Sequence, residues 1–150
     1  MLYVTVTATI NQPVERVFAY VTDVASHVAW HGQISEARLS PPGPVRVGST
    51  YHYATETRGK RTESAMQVTW FEPNRFWVIE TTHLPSPIET SFLFEPVTGG
   101  TRLTVQTHLP GIAPAIAREM VRKQIETTLR EQLQRIRDQL QPGSGAEGAA

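Results

Sequence analysis

The patterned part of the chain ends in one long amphipathic helix, predicted from Ala113 to Gln141, after a stretch that reads mostly as strands. In its second half Val121, Ile125, Leu129, Leu133, Ile136 and Leu140 recur at spacings of four, four, four, three and four, a single apolar stripe on one face. A helix this long with one greasy side needs a surface to lie on. The only one available is the sheet encoded before it, and a curved antiparallel sheet gripping one long helix leaves room for a pocket between the layers. Upstream of Val121, the residues Ile116, Ala117 and Met120 drift out of phase with the stripe, so the first half of the helix is expected to pack loosely and roof that pocket.

The strands announce themselves by alternation. Val4, Val6, Ala8 and Ile10 alternate with Thr5, Thr7 and Thr9. Asn11 is a candidate helix cap with Pro13 just inside the first turn, and Val14, Val17, Phe18 and Val21 follow at helical spacing. Asp23 is placed to cap a second short helix from Val24 to about Trp30. From Gln33 the period becomes two, interrupted by turn signals at Pro41-Pro42-Gly43-Pro44, Arg58-Gly59-Lys60-Arg61, Pro73-Asn74, Pro85-Ser86-Pro87 and Gly99-Gly100. The prediction is an α+β fold: a curved seven-stranded antiparallel sheet, two short helices after the first strand, and the long helix over the concave face. Residues 1–141 make one domain. Residues 142–150 hold no large apolar side chain and read as a disordered tail.

One hairpin suggests its own register. With Gly59-Lys60 as a two-residue turn, Tyr51 opposes Val68, Tyr53 opposes Met66, and Thr55 opposes Ser64. The other face then carries His52, Glu56, Arg58, Arg61, Glu63 and Gln67, which belong in water, with Glu56 facing Glu63. The inward set mixes two tyrosines with hydroxyls, more polar than a dry core requires.

Composition narrows the function. Acidic and basic residues balance at fourteen each, which gives no electrostatic case for nucleic acid or an anionic membrane. The absence of cysteine removes disulfides, thiolate nucleophiles and cysteine-based zinc sites. The opening MLYVTVTATI is a strand rather than a signal peptide, and no apolar run approaches the ~20 residues of a membrane span, so a cytoplasmic protein is expected.

Candidate reactive groups are few. His27 and His31 stand four apart around Trp30, but no third ligand lies near, so they are read as a polar surface with Trp30 as the buried anchor, and no metal or other cofactor is expected. His52 falls on the outer face of the hairpin, and His83 and His108 near strand ends. Lys60 sits at a hairpin tip and Lys123 on a helix flank, so neither suits covalent amine chemistry. Glu80 follows the doubly apolar run Phe76-Trp77-Val78-Ile79; one parity brings it into the cavity as an acid or base, the other sends it to solvent, and the turns allow both.

The ordered series of short motifs resembles the START-like, helix-grip superfamily (SRPBCC), and within it the polyketide cyclase/dehydrase and lipid-transport group. The pieces are the first strand running into Pro13-Val14-Glu15-Arg16-Val17-Phe18, then Asp23, His27 and Trp30, Val47-Gly48-Ser49-Thr50-Tyr51, Val68-Thr69-Trp70-Phe71-Glu72-Pro73, Phe92-Leu93-Phe94-Glu95-Pro96 and Gly99-Gly100-Thr101-Arg102-Leu103-Thr104. The resemblance implies a fold with a ligand cavity; fold alone does not decide among carriers, cyclases and chaperone regulators. The leading expectation is binding of a small, largely apolar molecule, with Tyr51, Tyr53, Ser64, Met66, Trp70, Thr90, Phe92, Met120 and Gln124 as liners. The alternatives are a cyclase/dehydratase moving protons with Tyr51, Tyr53 or Glu80, and an interaction module of the chaperone-regulator kind. The expected partners are a small apolar ligand and, at most, a second copy in a homodimer, with no nucleic acid and no integral membrane segment.

Overall fold

Alternation decides the first strand: in the computed structural model, Leu2, Val4, Val6 and Ile10 are buried, Ala8 packs partly buried on the same side, and Tyr3, Thr5, Thr7 and Thr9 face out. The structure describes residues 2–82, 84, 86–111 and 115–141. The sequence-based expectations for His83, Pro85, Ala113 and the tail 142–150 lie outside these. After β1 (Leu2–Ile10) come α1 (Val14–Thr22), α2 (Val24–His31), β2 (Glu36–Ser40), β3 (Thr50–Thr57), β4 (Lys60–Glu72), β5 (Phe76–Thr81), β6 (Glu89–Val97), β7 (Gly100–Leu109) and α3 (Ala115–Leu140). The strands form one antiparallel sheet in the order β1-β7-β6-β5-β4-β3-β2. This is the predicted helix-grip arrangement: a seven-stranded sheet with its helices on one face and α3 lying against it.

The helical elbow between β1 and β2 departs from expectation at its start. Pro13 occupies the cap position of α1 and no side chain caps that end. Asn11 serves elsewhere: its backbone N–H donates to Oε1 of Gln141 at 2.7 Å, and the neighbouring Gln12 side chain donates to the Leu140 carbonyl at 2.8 Å. Those bonds stitch the end of α3 to the corner after β1. Asp23 caps α2 as predicted, accepting from the Ala25 N–H at 3.1 Å.

The β3–β4 hairpin turns one residue earlier than predicted. Arg58 and Gly59 are the central pair, both with positive φ (52° and 76°), the geometry whose twist matches the flanking strands. Tyr51 therefore opposes Met66, Tyr53 opposes Ser64, and Glu56 opposes Arg61 rather than Glu63. The shift is by two residues, so every side chain keeps its predicted face.

A second irregularity does change a face. Between Val68 and Trp70 the β4–β5 pairing slips by a residue, a β-bulge. Val68 and Phe71 both point inward, Phe71 against Phe18, while Trp70 is thrown onto the outer face, 53% exposed. There its Nε1 donates to Glu72 Oε2 at 2.8 Å and its ring meets Phe76 edge-on.

The core joins the inner sheet face to the helical elbow and to Leu129, Leu133, Ile136 and Leu140 of α3. The predicted stripe is the inward face of that helix, buried from Leu129 to Leu140 and partly buried at Val121 and Ile125, whereas Ile116 and Met120, one residue out of phase, point to water. Ile136 is 1% exposed and Met120 is 68% exposed. Ile136→Ala is accordingly expected to lower the unfolding free energy by about 2–5 kcal/mol, and Met120→Ala to change it by less than about 0.5 kcal/mol. Urea unfolding of the two variants checks this; equal losses would mean that α3 is packed uniformly.

Candidate ligand-binding cavity

The inner sheet face has more width than α3 can cover, and the surplus is a cavity of about 440 Å³. Its floor consists of Tyr53 from β3, Met66 from β4, Ile79 and Thr81 from β5, Thr90 and Phe92 from β6, and Thr107 from β7, with Ile88 just before β6. Trp30, His31 and Gln33 close the end formed by α2, and the middle of α3 forms the roof with Gln124, Ile125, Thr128, Leu129 and Gln132. The roof thus lies further along the helix than Met120, because the stripe residues Ile125 and Leu129 reach the sheet and Met120 does not.

Of the residues the sequence suggested as liners, Tyr53, Met66, Thr90, Phe92 and Gln124 come together here. Tyr51 does not line the cavity. It is fully buried beneath, and its hydroxyl donates to the Thr22 carbonyl at 2.6 Å, tying the end of α1 to the sheet. Ser64 lies opposite Tyr53, half-buried and outside the lining. Trp70 is excluded by the bulge. The parity of β5 resolves with Trp77, Ile79 and Thr81 inward, so Glu80 lies on the outer face between Gln67 and Glu89 and cannot serve as an acid or base in the cavity.

His27 is the largest departure from the sequence reading. It is not a surface residue; it is wholly buried, ringed by Trp30, Tyr51, Tyr53 and Trp77. Its Nδ1 lies 2.7 Å from the Tyr53 hydroxyl and its Nε2 lies 2.9 Å from the Val21 carbonyl. Burial drives its pKa down to about 3, so the ring is neutral. A carbonyl only accepts, which puts the ring proton on Nε2 and leaves Nδ1 to accept from the Tyr53 hydroxyl. Burial, with Tyr51 nearby, holds the Tyr53 phenol well above its ordinary pKa. His31 stands at the cavity wall, its pKa lowered by burial and then by Arg135. Among the described residues no group of three potential metal ligands comes together.

The missed wall residues were partly legible. Thr81 shares the parity of Ile79, Thr107 faces Thr90 across the strands with 3.2 Å between their hydroxyls, and Thr128 and Gln132 follow Gln124 at four-residue steps.

The chain belongs to the family described as polyketide cyclase/dehydrase and lipid transport, whose model matches residues 1–141. No curated protein matches the sequence. Among solved structures, TTHA0849 from Thermus thermophilus is similar at 16% identity and a TM-score of 0.74, over 95% of this chain and 99% of that one. One domain's length of StfQ, the di-domain ARO/CYC of the steffimycin biosynthetic pathway, is similar at 13% identity and a TM-score of 0.74, over 95% of this chain and 51% of that one. The Aha1 dimer from Colwellia psychrerythraea is similar at 19% identity and a TM-score of 0.69, over 93% and 96% of the two chains. At such identities the likeness is one of fold. No described helix is long and apolar enough to cross a membrane.

The neutral His27 makes stability depend on pH. Its folded pKa of about 3 lies below the ordinary 6.5, so the unfolded chain binds the proton first. This contribution is complete above pH 6.5 and is lost as the pH falls toward 3. The unfolding free energy should therefore drop by about 2 kcal/mol between pH 6.5 and 5, with His31 adding in the same direction. Urea unfolding at those pH values, beside ring NMR showing His27 still neutral at pH 5, checks it; a pH-independent midpoint contradicts it.

Proposed function

We propose that the protein binds a small, uncharged, largely apolar molecule of lipid, quinone or aromatic polyketide type beneath α3. The observation that carries this reading is the chemistry of the wall. Its described residues are aliphatic, aromatic, hydroxyl and amide side chains with one uncharged histidine, and include no Asp, Glu, Lys or Arg. An ion enclosed there would lose its water without gaining a partner, at a cost of several kcal/mol. The volume of about 440 Å³, and a wall in which uncharged polar side chains alternate with aliphatic and aromatic ones, suit a small molecule that carries a few polar groups on an apolar frame. The family description, which names polyketides and lipids, supports the same range of ligands.

A cyclase or dehydratase activity is the second reading, favoured by one observation: a phenol in the wall pairs with a buried imidazole at 2.7 Å. Tyr53 would be its proton-moving residue, because Tyr51 and Glu80 stand outside the cavity. The direction of the bond weighs for binding instead. The phenol keeps its proton and points it into the protein, toward a ring whose depressed pKa makes it a poor base.

A matched pair tests the leading reading: the methyl ester of a polycyclic aromatic acid and its free carboxylate, titrated calorimetrically at pH 8. The ester should bind at least about tenfold more tightly, since only the anion must be buried unpaired. Equal affinity, or a preference for the carboxylate, would overturn the reading. Turnover of a polyketide-like substrate that falls by ~10²–10⁴ in Tyr53→Phe would establish the second one.

A further inference from the structure

The hydrogen bonds of His27 dictate what Tyr53 has left to offer. The Val21 carbonyl claims the Nε2 proton, so Nδ1 is a bare acceptor and takes the only proton of the Tyr53 hydroxyl. To a molecule in the cavity, Tyr53 presents a lone pair and no donor.

His31 supplies the opposite. Its ring stands 5.4 Å from the Tyr53 ring, between centroids, and lines the same end of the cavity. Its Nδ1 is shielded from solvent and has no hydrogen-bond partner among the described residues. A buried N–H without a partner is disfavoured more strongly than a bare lone pair, so the single proton of the neutral ring belongs on Nε2. With Nδ1 shielded, Nε2 is the ring nitrogen left for an occupant beside His31, and there it would act as a donor.

An acceptor and a donor side by side complement a group that both gives and takes one hydrogen bond. Ketones, ethers and esters only accept. We propose that the molecule bound here carries a hydroxyl, alcoholic or phenolic, which donates to Tyr53 Oη and accepts from His31 Nε2–H. The inference rests on the binding reading above and deepens it. It makes His27 a positioning residue: buried and out of contact with the ligand, it sets the polarity of the tyrosine that the ligand touches.

Three probes of one ring system separate the possibilities: 2-naphthol, which donates and accepts, and 2-methoxynaphthalene and 2-acetylnaphthalene, which only accept. The full-length wild type should bind the naphthol about three- to tenfold more tightly than the other two, the gain one hydrogen bond supplies. In Tyr53→Phe that preference should shrink below about twofold, with methoxynaphthalene affinity little changed. In His31→Phe, which leaves the Tyr53–His27 bond in place, all three probes should weaken together, because each uses its oxygen as an acceptor. Should Tyr53→Phe fail to fold, nitrogen NMR of wild-type His27 reads the tautomer directly: protonated Nε2 and unprotonated Nδ1 are expected, and the reverse overturns the proposal. Equal binding of the three probes by the wild type, or a preference for the acetyl compound, overturns the hydroxyl inference and leaves the binding reading standing. Failure of every probe to bind overturns both.

Discussion

The structure depends on one imidazole. His27 bridges the helical elbow and the sheet, accepting from the Tyr53 hydroxyl on β3 and donating to the Val21 carbonyl near the end of α1. Beside it Tyr51 makes a second tie, from β3 to the Thr22 carbonyl at 2.6 Å. The two phenols and the imidazole are buried polar groups whose hydrogen bonds are made within the fold, an arrangement that rigidifies when complete and costs heavily when one member is lost. With the elbow fixed, Trp30 and His31 become the end wall of the cavity rather than a mobile flap. The neutral charge state of His27 follows from the same burial.

The cavity and the core differ by a small change in side-chain choice along the same elements. At the α1 end, the inner face of the sheet carries Val68, Trp77, Phe94 and Leu103, which fill the space against Phe18 and the elbow. Toward the other end the same faces carry Met66, Thr81, Thr90 and Thr107, which are shorter or more adaptable, and the space stays open. On α3 the row at four-residue steps changes from Leu140 and Ile136 to Gln132, Thr128 and Gln124, while the neighbouring row Leu133, Leu129 and Ile125 stays apolar. Charge is kept to the outside: Arg122 pairs with Glu119 and Glu126 on α3, and Arg61 with Glu36 and Glu63 on the sheet. These exposed pairs add little to stability, but they leave the interior to neutral groups.

Periodicity made the architecture legible. The stripe from Val121 to Leu140 and the alternation of β1 appear in the structure as buried faces, and the inward parity of Tyr51 and Tyr53 survived a two-residue error in the turn because side-chain direction repeats every two residues. The cavity was legible only in part. A bulge leaves no mark in an alternating pattern, so alternation alone puts Trp70 inward, and parity tells which face Tyr51 joins but not which end of that face is filled. Glu80 depended on a strand apolar on both sides, where alternation carries no signal. The burial of His27 leaves no local signal, because its partners, Val21 and Tyr53, become neighbours only through the elbow's docking on β3. A buried histidine and a surface one look alike in sequence.

On this account the space under α3 is suited to an uncharged molecule. Native mass spectrometry of the full chain, purified without detergent and followed by solvent extraction and accurate mass of what is released, tests that most directly. The expected result is one bound organic molecule of a few hundred daltons without a carboxylate, phosphate or amine. Recovery of a charged species from the cavity at stoichiometric occupancy would contradict it.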